Sequence, residues 1–113
     1  MVTAELAVAL PALMLAGLLA TAGLQVAVAQ LRCLDAAGIA ARLAARGELA
    51  IDVESAATAA GPRQSRVTVA HDGDVVSAMV AAPVHLLGLG GLLPSFQVIA
   101  SAADPVEPGA GGG

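Results

Sequence analysis

Glu5 is the residue whose surroundings most invite chemistry. It is followed by residues 6–31, an uninterrupted run of 26 without a charged side chain. A carboxylate at helix-centre depth in a bilayer costs roughly 2.5–3.5 kcal/mol, so an acid in such a place usually has a partner or a purpose. The chemistry open to it there is ion pairing. In low dielectric two opposite charges are each costly alone and attract strongly together. A plainer reading also fits: Glu5 as an interfacial acid in the first turn of a helix, favoured by the helix dipole.

The other reactive residue types form no comparable constellation. Cys33 is the single cysteine, so an intrachain disulfide is impossible. It reads as a small apolar helix residue, with an intermolecular disulfide or lipid attachment as the alternatives. Residues 88–91 are glycine-rich, but they lack the Lys-Ser/Thr of a phosphate loop and do not lead from a strand into a helix. The leucines around them, Leu87, Leu89, Leu92 and Leu93, suggest a loop covering or a contact surface instead. His71 and His85 have no ligands at metal-binding spacing, although Asp72 and Asp74 neighbour His71. Ser77, Ser95 and Ser101 offer no nucleophilic arrangement. The expectation is a protein that is not an enzyme and holds no cofactor and no metal.

An element long enough to position Glu5 in a membrane is at hand. At ~1.5 Å per residue the uncharged run spans roughly 39 Å, more than the ~30 Å hydrocarbon core. We expect one helix over residues 1–46, membrane-spanning at about residues 6–29. Pro11 lies inside it and removes a backbone hydrogen bond, a candidate kink. Gly17 and Gly23 thin the helix and would permit close approach of another. From Gln30 onward the pattern turns amphipathic, with Leu31, Leu34, Ile39 and Leu43 near one face. Arg46 followed by Gly47 is a strong stop signal.

A second helix is expected over 52–60 with Asp52 as N-cap, ended by Gly61-Pro62. Alternation predicts a strand over 66–70 with Val67 and Val69 inward. The Asp72-Gly73 pair signals a hairpin. A strand over 74–84 should carry Val76, Ala78, Val80, Ala82 and Val84 on one side, with Pro83 implying a strand end or edge. A third strand is expected over 96–103. The fold class is then α+β: a long N-terminal helix, a short second helix, and a three-stranded antiparallel sheet packed on the C-terminal half of the long helix. The organisation is residues 1–47, the helix; 48–104, a small α+β domain; and 105–113, a disordered Pro/Gly tail.

Composition agrees with a membrane-anchored chain. Only 12% of the 113 residues are charged, and the mean hydropathy of +0.83 exceeds that of ordinary soluble domains. There is no Lys, Trp or Tyr and a single Phe, so the domain core is light and leans on a partner. The formal net charge of −4 with isolated arginines argues against nucleic acid.

The stretch Met1-Val2-Thr3-Ala4-Glu5-Leu6 through Pro11 resembles the mature N-terminus of TadE-like minor pilins, in the tight-adherence branch of type IV pili of high-GC bacteria. The similarity continues through residues 30–37, 44–47, the Gly61-Pro62 break, the strands at Val67 and 75–80, and residues 91–94. It implies a non-enzymatic subunit acting in pilus assembly or tip initiation. It implies that Glu5, fifth in the mature chain, docks on the N-terminal amine of a neighbouring subunit. It implies processing by a prepilin peptidase immediately before Met1, and other pilin subunits and the assembly machinery as partners. The expected location is a single-pass cell-membrane protein with its C-terminal domain outside the cytoplasm, or incorporated in a surface pilus.

Arg32, Arg42 and Arg46 follow the span and nothing basic precedes it, which alone gives the reverse orientation. A basic leader ending in glycine ahead of Met1 would restore the pilin orientation. Two other readings stay open. Ala27-Val28-Ala29 fits a signal-peptide cleavage site giving a secreted protein starting at Gln30. The arginines alternatively suit a bitopic membrane protein with a cytosolic binding module.

Overall fold

A computed structural model describes residues 2–88, 92 and 95–106. Helix α1 runs through Val2–Ala45 and α2 through Ala50–Ala60. Strands β1 (Arg66–Asp72), β2 (Val75–Val84) and β3 (Phe96–Pro105) follow, with a short helical turn at Leu86–Gly88 between β2 and β3. The strands form one antiparallel sheet in the order β1-β2-β3. The sheet packs on the C-terminal half of α1, and α2 packs on α1 beside β1. The molecule is α+β, and its long dimension of 77 Å is set by α1.

Helix α1 ends as its sequence dictates. Gly47 takes φ 80°, a left-handed conformation that strains side chains with a Cβ. The Gly47 N–H then donates to the Ala44 carbonyl at 3.0 Å and the Glu48 N–H to the Leu43 carbonyl at 3.1 Å. These two bonds satisfy carbonyls that a helix end would otherwise orphan.

The buried face of α1 differs from the expected one. Leu31 and Leu34 are 65% and 49% exposed, while Ile39 and Leu43 are half-buried. The buried residues of α1, covered by the sheet and α2 together, are Ala29, Cys33, Ala36, Ala37, Ala40, Ala41 and Ala45. The reason is steric. The inner sheet face presents Val76, Ala78, Val80, Ala82, Val98 and Ala100. Close packing of that face against α1 leaves room for a methyl or a thiol, and it turns the larger leucines outward.

Two local expectations also change. Helix α2 starts two residues early, at Ala50. Leu49 occupies the cap position with no side-chain cap bond, and Asp52 sits in the first turn instead. Its carboxylate there still complements the helix dipole. Strand β3 runs past its expected end at 103, through Asp104 and into Pro105, the first residue of the expected tail; Pro105 pairs with Val75 and the Val106 N–H donates to the Asp74 carbonyl at 2.7 Å. Residues 107–113 lie outside the described residues.

The hairpin is present, with Gly73-Asp74 as its central pair because Asp72 faces Val75. Gly73 supplies the φ of 62° that the tight turn needs. Pro83 lies in the central strand. Strand β1 begins opposite Ala81, so Pro83 sits beyond its reach and pairs only with Gln97 of β3. A missing N–H is tolerated at such a local edge.

Candidate functional site

Residues 2–24 form the part of α1 that leaves the domain. Nearly all are exposed, including Leu6, Leu10, Leu13, Leu18 and Leu24, each more than half accessible. At ~1.5 Å per residue they span roughly 35 Å, enough for a bilayer core of ~30 Å. Helix α1 is long and apolar enough to cross a membrane, and the apolar window is 0% buried within the chain. That window is therefore no part of the domain core. By length and composition it is compatible with a transmembrane segment or a signal sequence.

Glu5 sits in the first turn of α1, exposed, at the end most distant in sequence from the domain. The helix dipole favours an acid there. Pro11 lies inside α1, whose helical course continues on both sides of it. Gly17 and Gly23 have open space where a Cβ would stand, so no described residue meets the helix on that side of either glycine. Thr21 turns its hydroxyl inward to donate to the Gly17 carbonyl at 2.9 Å. A hydroxyl bonded to its own helix needs no external partner in an apolar surrounding. The processing point before Met1 lies outside the described residues.

The boundary between free helix and domain is built by two glutamines. The Gln25 carboxamide donates through Nε2 to the His85 carbonyl at 3.3 Å and accepts the Leu87 N–H on Oε1 at 2.6 Å. Gln30 Nε2 donates to the Ile99 carbonyl on β3 at 3.0 Å. Val26 and Ala29 pack against the core. The domain thus reaches up α1 to Gln25, and the uncovered apolar length is residues 2–24. The expected span of 6–29 overlaps this covered segment by five residues, 25–29. Sequence reasoning missed the clasp, whose signal was a pair of amides in an otherwise apolar helix, each in need of a partner.

Cys33 is fully buried in the apolar core. Burial pushes its thiol pKa above the ordinary value by disfavouring the thiolate. That environment suits packing and works against nucleophilic or redox use.

The residues considered for chemistry are not gathered. His71 is in β1 opposite Val76, and His85 follows β2, exposed. Ser77 pairs with Ala103, while Ser101 pairs with Met79. Among the described residues no three His, Cys, Asp or Glu side chains meet in a way that could hold a metal ion. Of the glycine-rich loop, Leu89, Gly90, Gly91 and Leu93 lie outside the described residues; Leu87 is half-buried and Leu92 is 82% exposed.

The chain is similar to a protein of Mycobacterium tuberculosis (strain ATCC 25618 / H37Rv) named Apoptosis inhibitor Rv3655c. The two are 40% identical over 105 residues, which cover 93% of this chain and 78% of that protein. No protein-family model matches the chain, and no solved structure matches it.

Proposed function

This chain belongs to the family of the mycobacterial protein named Apoptosis inhibitor Rv3655c, and from that premise we propose that it is a membrane-anchored, non-enzymatic assembly subunit, a TadE-like minor pilin of a tight-adherence pilus. The relative's name describes an inhibitor of apoptosis; for this chain we favour the assembly role.

One observation carries this reading. A single helix is bare and apolar for residues 2–24, bears one acid in its first turn, and continues without a break into the scaffold of a small sheet domain. A helix of that kind has two stable surroundings, lipid or other helices. A subunit moving from membrane to fibre needs both. Glu5 would then meet the N-terminal amine of a neighbouring copy, and each charge would offset the other's burial. The domain would stand outside the cytoplasm, and the partners would be other pilin subunits, the assembly machinery and a prepilin peptidase.

Cleavage of a signal after Ala29 is the less supported alternative. Ala29 belongs to the domain core and Gln25 clasps the loop after β2. Such a cut would strip both from the folded domain.

The deciding experiment is the N-terminal residue and mass of the protein purified from its native membrane. A mature chain beginning at Met1 after removal of a leader supports the pilin role. A chain beginning at Gln30 refutes it in favour of secretion.

A further inference from the structure

The C-terminal end of α1 and the start of α2 carry complementary surfaces. An open recess of about 400 Å³ lies between the end of α1 and β3, lined by Ile39, Arg42, Leu43, Arg46 and Asp104. Its apolar side chains are Ile39 and Leu43. Its charged ones are two guanidiniums and one carboxylate. The start of α2 presents the converse. Leu49 and Ile51 project 68% and 73% exposed, and the carboxylates of Glu48, Asp52 and Glu54 are exposed around them.

Each surface alone is incomplete. Two bare aliphatic side chains ringed by acids make a knob, and an aliphatic recess edged by arginines makes its counterpart. Within one chain they flank the turn between α1 and α2, where the Glu48 N–H donates to the Leu43 carbonyl at 3.1 Å. Helix α2 packs on α1 beside β1, whereas the recess is closed by Asp104 of β3, the opposite edge of the sheet.

We propose that the knob at Leu49 and Ile51 docks into the Ile39–Leu43 recess of a second copy of this chain, with Glu48, Asp52 and Glu54 facing Arg42 and Arg46. The charge complementarity names the occupant, since one copy carries both halves. Every copy carries both patches, so docking proceeds either reciprocally in a two-fold pair or onward from copy to copy in a ring or helical array. Apolar side chains supply the buried area, and the opposed charges fix orientation and reject mismatched registers. This rests on the proposed subunit role only in taking a second copy as the occupant. N-terminal processing tests that role without involving this contact, and the test below does not depend on processing.

The test is cross-linking of the full chain in phosphatidylcholine–phosphatidylglycerol vesicles, in a Cys33→Ala background. Chains carrying Ile51→Cys are mixed with chains carrying Ile39→Cys and oxidised with copper phenanthroline. The expected result is a mixed dimer several-fold more abundant than that formed by Ile51→Cys with Thr68→Cys on the outer sheet face. It should fall in high salt and on Arg42→Glu with Arg46→Glu. It should return when the partner carries Glu48→Arg, Asp52→Arg and Glu54→Arg. A yield equal to the Thr68→Cys control, or no rescue by the double reversal in chains of native circular dichroism, would overturn the proposal. So would cross-linking in native membranes to a different protein in preference to a second copy.

Discussion

Gln25 holds Leu87. Its side-chain oxygen takes the Leu87 N–H at 2.6 Å across 62 residues of sequence, and Leu87 adopts φ 56°, in the left-handed region. A branched residue enters that region at a cost of order 1–3 kcal/mol and stays only where its surroundings enforce it. The clasp also supplies a partner for a part-buried N–H that the turn itself leaves over.

Replacing Gln25 with Leu should therefore loosen the domain while leaving α1 helical. Two hydrogen bonds of about 0.5–1.5 kcal/mol each are lost, and one N–H is orphaned. Thermal unfolding in detergent micelles should show a lower Tm with unchanged helical circular dichroism in the folded state. An unchanged Tm would mean the clasp is not formed in solution.

The two faces of α1 should respond oppositely to size. Ala40→Leu inserts bulk where exposure is 0%, and overpacking of this kind costs about 1–3 kcal/mol. Leu34→Ala, on the exposed side, should change stability by less than about 0.5 kcal/mol. Denaturant titration of both variants measures the contrast. The reverse ranking would mean that the leucine side is the buried one.

Cys33 makes stability sensitive to alkali. Its folded thiol pKa lies above the unfolded value because burial disfavours the thiolate. The unfolded chain therefore gives up this proton first. The contribution is fully present below the ordinary thiol range near ~8.5 and is lost as pH rises through the folded pKa. Wild type should lose more stability between neutral pH and pH of about 10 than Cys33→Ala does. Equal slopes would place the thiol in water.

Glu5→Gln should separate insertion from assembly. Removing the charge makes membrane entry no harder, since an ionised acid is the costly form there. Under the proposed role, the membrane fraction stays constant while the amount in sheared filaments falls on the order of tenfold. Undiminished filament incorporation would leave Glu5 as an interfacial acid.

Much of the domain was legible because alternation in a strand is a strict code. Val76, Ala78, Val80, Ala82 and Val84 face one way on period alone, and all five are buried. The helix stop at Gly47 was equally plain. The buried face of α1 was not legible from hydropathy, which ranks leucine above alanine. The core selected side chains by the space between helix and sheet, and that distance is a tertiary quantity. Asp52 was misjudged as a cap because α2 begins with Ala50-Ile51, on residues that carry no capping signal. The clasp was hidden for a related reason: nothing near Gln25 in the chain announces that His85 and Leu87 will come to it. For Glu5, the sequence shows a charge at the head of a bare helix, and the structure adds where that bareness ends.

The continuity of α1 has a mechanical meaning. Its 44 residues make one strut with no joint between the bare half and the half bearing the sheet. A pull on residues 2–24, along the helix axis, reaches the sheet as shear across the helix–sheet seam. Gln25 then takes load ahead of the alanine packing that begins at Ala29, with Gln30 just behind it, like rivets at the leading edge of a plate. A domain light in aromatic mass thus carries its side-chain hydrogen bonds to α1 at the end where traction enters.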